Sequence, residues 1–206
     1  LTFIHTRGEL AAHWKAWEAN PEGTPLGIIL SMEGADPIID EEQVKHWFAL
    51  GLRAVGPAHY GRGQYAYGTA VDGPMTPAGV KLLKEFMKVG MILDVTHLSD
   101  QSFWTAMDVY DGPMLASHHN LRALVPGDRQ LTDEQVAAAE ERNLQIALAE
   151  KKGVKHLGYV HQGHQGKRKN SKQSSKQQEE EDPKEPKDAQ EEPAAADEAT
   201  TEGVTA

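Results

Sequence analysis

Cysteine is absent from all 206 residues. Neither disulfides nor thiolate metal ligands are therefore available, and any metal site must be built from His, Asp and Glu. Long hydrophobic runs are missing as well. No apolar stretch approaches the roughly 18 residues of a membrane-spanning helix. The opening L-T-F-I-H-T-R-G-E lacks the basic-then-apolar layout of a signal peptide, so the expected location is cytoplasmic. It also lacks an initiator Met, so the chain is expected to begin inside a longer protein. Apolar residues make up 39%, short of the roughly 45–50% of a globular domain, and the deficit lies after about Gly153. Positive charge is scarce: 21 Lys and Arg against 31 Asp and Glu give a net charge of −10, which argues against a nucleic-acid partner. No P-loop is present, and G-R-G at Gly61–Gly63 is too short for a nucleotide fingerprint.

What is there, from Leu1 to about Leu148, is an alternation of helical and extended segments. Glu9–Ala19 has helical spacing. Leu26–Met32 is a continuous apolar run, the pattern of a strand covered on both faces. Asp40 can cap a helix through Val44, Trp47 and Phe48. Leu52–Val55 is a short strand. Thr76-Pro77 is an N-cap followed by proline at the first helical position, and Val80, Leu83, Phe86, Met87 and Val89 follow it at helical spacing. Gly90 ends that helix before a strand at Met91–Val95. Ser99 or Asp100 opens the next helix, and Met114–Ala116 is the next strand. Thr132 with Gln135 forms a capping box ahead of a helix from about Asp133. Strand and helix alternate four times, which predicts an α/β fold with a parallel sheet and leaves both a (β/α)8 barrel and a doubly wound sheet open. Two units are expected: a folded domain over 1–152 and a low-complexity, disordered tail over 153–206.

Chemistry gathers where strands end. Glu33 follows Leu26–Met32 in S-M-E-G-A-D, His97 follows Met91–Val95 in D-V-T-H, and His118 follows Pro113–Ala116 in S-H-H-N. Singly, each is most simply a solvated loop residue. A carboxylate and two imidazoles at the same end of successive strands instead suggest a zinc site gathered at the mouth of a barrel. A Glu can bridge two metals through its two oxygens, and Gly34 is expected to let backbone and metal approach closely. His119 points away from its neighbour, so one of the pair faces the mouth. His59, in G-P-A-H-Y-G-R-G, lies between a strand and a glycine-rich loop, either near a ligand or in solvent. Arg129, in P-G-D-R-Q-L-T-D, could grip a carboxylate through two hydrogen bonds or pair with Asp128 or Asp133. His156, His161, His164 and the basic Lys167–Lys169 read as parts of a solvated tail. Trp14, Trp17, Trp47 and Trp104 lie on helices and read as core packing.

S-M-E-G-A-D, G-L-R-A-V-G-P-A-H-Y, G-M-I-L-D-V-T-H-L-S, P-M-L-A-S-H-H-N-L-R-A-L and D-R-Q-L-T-D-E-Q occur in order between Thr6 and Arg142. Together they resemble the membrane (renal) dipeptidase family of zinc peptidases, particularly its bacterial branches. The resemblance implies a (β/α)8 TIM barrel, here partial, that hydrolyses dipeptides with a metal-activated water in a dinuclear zinc site. It implies that Glu33 bridges the zincs and that His97 and His118 ligate one of them. It further implies that His59 contacts substrate and tetrahedral intermediate, that Arg129 binds the substrate carboxylate, and that Asp94 supports the site from behind the ligands. The family's His-x-Asp pair on its first strand, which ligates the other zinc, is not found here, so one half-site is expected. The rival readings are another metal-dependent barrel amidohydrolase, acting on lactones or cyclic amides, and a non-catalytic truncated or fused fragment. An open partial barrel would leave strand edges unpaired, so homo-oligomerisation is expected.

Overall fold

The computed structural model describes residues 1–152. The expected tail over 153–206, with its histidine and lysine tracts, lies outside the described residues. The chain opens with a two-residue strand, β1 (Thr2–Phe3), that the sequence pattern did not signal. Thr6 then caps α1 (Arg7–Ala19), its hydroxyl accepting from the Glu9 amide while the Glu9 carboxylate accepts from the Thr6 amide. This is the reciprocal cap that satisfies two free amides at a helix start. β2 (Gly27–Ile28) pairs in parallel with β1. Arg53 ties this start to the main sheet, donating to the carbonyls of His5, Phe48 and Leu52 at 2.7–2.8 Å.

The main sheet is parallel throughout, in the order β3 (Leu30–Glu33), β4 (Leu52–Gly56), β5 (Ile92–Asp94), β6 (Met114–Leu115). Helices join the strands: α2 (Val44–Ala49), preceded by a 3-10 turn at Glu41–Gln43, then α3 (Pro77–Val89) and α4 (Asp100–Val109). The last described element is α5 (Asp133–Lys151). Sequential parallel strands with helical crossovers are the repeating unit of a (β/α) barrel, and these strands form an open segment of one. The caps expected at Asp40, Thr76, Ser99 and Thr132 are present: Asp40 accepts from the Gln43 amide of the 3-10 turn ahead of α2, Thr76 from Gly79, Ser99 from Ser102 and Thr132 from Gln135.

The core lies between the sheet and α2, α3 and α4. Val44, Leu52, Val55, Leu82, Leu83, Phe86, Met91, Leu93, Phe103 and Ala106 belong to one buried cluster. Burying a side chain of this size stabilises the fold by about 1.5–3 kcal/mol. Two buried tyrosines join the cluster with their hydroxyls satisfied, Tyr65 donating to the Ile38 carbonyl and Tyr110 to the Met91 carbonyl. Burial pushes the Tyr110 hydroxyl well above its usual pKa.

The register sets up the site. Glu33 pairs with Gly56 and Asp94 with Leu115, while Val55 pairs with Leu93 one step earlier. Glu33, Gly56, Asp94 and Leu115 thus form one row across the C-terminal ends of the strands. Past β6 no further strand follows among the described residues. The free edge there is closed by Asn143 of α5, whose carboxamide accepts from the Met114 amide at 3.1 Å and donates to its carbonyl at 3.0 Å. A side chain here occupies the hydrogen-bonding place of a neighbouring strand. Arg142 beside it donates to the Tyr110 carbonyl and, at 2.9 Å, to the Met107 carbonyl, satisfying the end of α4.

Two expectations are corrected. The apolar run Leu26–Met32 is not one covered strand: it divides into β2 and β3 around Ile29, and Leu26, Ile29 and Leu30 are exposed. The helix that could cover it, α1, buries none of its residues. For the same reason Trp14 and Trp17 are not core residues; Trp14 is 60% exposed. Trp104 is also partly exposed, and of the four only Trp47 packs against the main cluster.

Candidate metal centre

Three histidines lie three residues beyond the register row: His59 beyond Gly56, His97 beyond Asp94 and His118 beyond Leu115. Glu33, the last residue of β3 rather than the residue after it, belongs to the row itself. Equal offsets from one row bring the side chains to one place. Glu33 Oε1 is 3.1 Å from His97 Nε2 and 3.0 Å from His118 Nε2, and the two Nε2 atoms are 3.2 Å apart. Among the described residues these three form the one cluster of His, Asp and Glu donors close enough to share a metal ion.

The donor set and spacing suit a divalent cation. Ligands about 2.0–2.2 Å from a tetrahedral zinc ion lie about 3.3–3.5 Å from one another. The three observed separations of 3.0–3.2 Å fall about 0.3 Å inside that triangle, so a small outward movement of the side chains would open it for the ion. Three lone pairs this close repel one another unless a proton or a cation lies among them.

Each of the three donor residues is held differently. His97 is only 2% exposed and has φ 69°, a left-handed conformation that costs a non-glycine residue of order 1–3 kcal/mol. It occupies the third position of a turn closed by the Leu98 amide on the Val95 carbonyl at 3.2 Å, a position that favours positive φ. Its Nδ1 meets Thr69 Oγ1 at 2.9 Å. Burial, with His59 next, lowers its pKa, opposed by Glu33, so the neutral imidazole that ligates metals is favoured. His118 is 45% exposed, and its Nδ1 meets Ser117 Oγ at 2.8 Å. Glu33 is followed by Gly34 at φ 81°, where an added Cβ would meet nothing within 4 Å. Gly34 is thus suited to its backbone conformation, not to a close approach.

The other candidate residues lie around this cluster. His59 is stacked edge-on between Tyr60 and His97, at 4.7 and 4.5 Å between centroids, with Nε2 3.7 Å from Glu33 Oε1. Its loop is folded tightly: a Cβ on Gly68 would fall 2.0 Å from the His59 carbonyl oxygen. Arg129 makes no ion pair with Asp128 or Asp133 and lies close enough for its charge to lower the pKa of His97 and His119. His119 turns away from the cluster and lines a hollow of about 190 Å³ between β6 and α5 with Val95, Met114, Leu131 and Val136. Its Nδ1 is buried without a protein partner, and burial lowers its pKa. Asp94 stands behind the ligands, Oδ1 accepting from the amides of Thr96 at 3.0 Å and Ser117 at 3.2 Å, Oδ2 from the Ser117 hydroxyl. No local sequence pattern marks Thr69, Tyr60 or Ser117, apart from the place of Ser117 directly before His118.

Residues 5–169 match the family described as membrane dipeptidase, peptidase family M19. The chain belongs to the membrane dipeptidase family. It is similar to an uncharacterized protein in the pqqA 5' region of Klebsiella pneumoniae, 31% identical over 129 residues, which cover 58% of this chain and 48% of that protein. It is also similar to dipeptidase tcpJ of Claviceps purpurea, 30% identical over 110 residues, covering 51% of this chain and 26% of that one. Among solved structures, a Rhodobacter sphaeroides metallo peptidase liganded with a phosphinate mimic of the dipeptide L-Ala-D-Ala matches with TM-score 0.56 and 27% identity, over 68% of this chain and 41% of that one. The probable dipeptidase PvdM of Pseudomonas aeruginosa shares the fold, with TM-score 0.61 and 22% identity over 69% of this chain and 36% of that one. The chain thus spans less than half the length of these relatives.

Proposed function

We propose that this chain carries one half of a dinuclear zinc centre for dipeptide hydrolysis, with Glu33, His97 and His118 as ligands. The convergence of Glu33 Oε1 and the two Nε2 atoms within 3.2 Å supports this reading. Family membership supports this reaction class, and the dipeptide mimic held by the Rhodobacter relative makes L-Ala-D-Ala the first substrate to test. When bound, zinc supplies a Lewis acid that polarises the scissile carbonyl and lowers the pKa of a water. The chain's own residues do the remainder. His59, in ring contact with His97, would hydrogen-bond the carbonyl oxygen as negative charge develops on it. Arg129, a cation without an acidic partner at Asp128 or Asp133, would hold the terminal carboxylate through paired hydrogen bonds. Glu33, with a second carboxylate oxygen, would be the residue shared with a second metal.

Zinc titration followed by calorimetry tests the ligand set. One equivalent should bind, and binding should be lost in a His97→Ala/His118→Ala double variant. Undiminished binding in that variant would overturn the assignment. Turnover of L-Ala-D-Ala should require zinc and should fall in Arg129→Ala mainly through a raised KM. Zinc-dependent turnover of lactones or cyclic amides, unaffected by that change, would move the reading to an amidohydrolase.

A further inference from the structure

We propose that Ser117 is a positioning residue that fixes the tautomer of His118, and that Asp94 acts on the imidazole of this metal ligand through the serine hydroxyl. The inference rests on the reading of His118 as a zinc ligand. A neutral imidazole carries one ring proton, and only the bare nitrogen can bind a metal. Three acceptors lie within reach of that proton: Ser117 Oγ at 2.8 Å from Nδ1, and Glu33 Oε1 at 3.0 Å and His97 Nε2 at 3.2 Å from Nε2. Donation to Glu33 or to His97 would block the metal-binding nitrogen. Donation to Ser117 frees it.

The Ser117 hydroxyl has one proton to give. Asp94 Oδ2 accepts it, a carboxylate being the strongest acceptor within reach. The serine oxygen then has only lone pairs to present to His118 Nδ1, so that nitrogen must carry the ring proton. Thr96 completes the arrangement: its hydroxyl is 3.4 Å from Ser117 Oγ and from the His118 amide. Asp94 is itself held by the two amides on Oδ1, of Thr96 and Ser117. The chain of bonds therefore runs from backbone amides through Asp94 and Ser117 to the imidazole.

Thr69 stands in the same relation to Nδ1 of His97, but the two histidines do not depend equally on their hydroxyls. His97 is 2% exposed and fixed by its turn, whereas His118 is 45% exposed. Loss of the hydroxyl should therefore be felt more at His118. Removing a hydrogen-bond partner of a metal ligand typically weakens metal binding about 10–100-fold.

Zinc affinity, measured by competition with a chromophoric chelator, should fall about 10–100-fold in Ser117→Ala, clearly less in Thr69→Val, and recover in Ser117→Thr. Circular dichroism should show all three folded. Nitrogen-15 NMR of histidine in the metal-free protein, well above the usual imidazole pKa of about 6.5, supplies a readout independent of zinc. His118 should carry its proton on Nδ1 in the parent chain and shift toward Nε2–H in Asp94→Asn, because an amide can donate to Ser117 and reverse the bond. Unchanged zinc affinity in folded Ser117→Ala, or an Nε2–H tautomer in the parent chain, would overturn the inference while leaving the ligand set standing. Failure of the parent chain to bind zinc, with the Nδ1–H tautomer present, would instead overturn the ligand set alone.

Discussion

His97 holds a conformation that an unbranched L-residue adopts only at a cost, and the cost is borne at the centre of the candidate site. Replacing it separates strain from ligation. Both His97→Gly and His97→Ala should abolish zinc binding, but the glycine variant should be the more stable by about 1 kcal/mol, because glycine accepts positive φ freely. Urea denaturation of the two metal-free variants reads this difference, and equal stability would count against strain at that position. A second residue-scale effect concerns acid. The Arg122 guanidinium grips both oxygens of Asp100 at 2.7 and 2.9 Å, and this, with Gln135, holds the carboxyl below its usual pKa against the opposing effect of burial. A depressed folded-state pKa contributes stability above the unfolded-state value and loses it as pH falls through the folded one. Arg122→Gln should therefore shift the acid-unfolding midpoint, followed by circular dichroism, to higher pH. An unmoved midpoint would remove the pair from the acid response. Glu33, His97 and His118 were legible in the sequence because each follows an apolar run. The Arg122–Asp100 pair was not, since no local pattern links residues on two separate elements. Thr69 and Ser117 were not legible because a hydroxyl in a loop resembles any other.

The helices were the most legible elements, since Thr76, Ser99 and the Thr132–Gln135 pair act over three or four residues of sequence. β1 escaped notice because two residues cannot display a period of two. What lies against an element is a different matter. The run Leu26–Met32 and the tryptophans of α1 have the composition of buried segments, but burial depends on what packs over them, which the local pattern does not encode. Stability measurements should show the contrast directly. Phe86→Ala, in the fully buried face of α3, should cost about 3–5 kcal/mol. Trp14→Ala, on a helix that buries none of its residues, should stay within about 0.5 kcal/mol of the parent chain. Comparable losses from the two substitutions would mean that α1 packs against something in solution.

For the whole molecule, the sheet is an open segment of barrel and its site is shared among three of its strands. A zinc ion held by Glu33, His97 and His118 would join β3 to the loops after β5 and β6. Because the unfolded chain does not preserve that triangle, zinc should stabilise the folded state, by about 2.7 kcal/mol at a hundredfold excess over its Kd. Differential scanning fluorimetry with zinc and with a chelator should show a rise in Tm of several degrees, absent in His97→Ala/His118→Ala. An equal rise in that variant would place the stabilising ion elsewhere.

The equal offset of His59, His97 and His118 from one register row would give a bound metal a second meaning. A slip of one residue between neighbouring strands would move one ligand by about 3.3 Å along its strand and turn alternate side chains to the opposite face. The triangle of donors tolerates no such displacement. On the proposed ligand set, zinc affinity would be a ruler for strand alignment: a chain whose sheet has assembled out of step would be folded by most spectroscopic measures and yet unable to hold the ion.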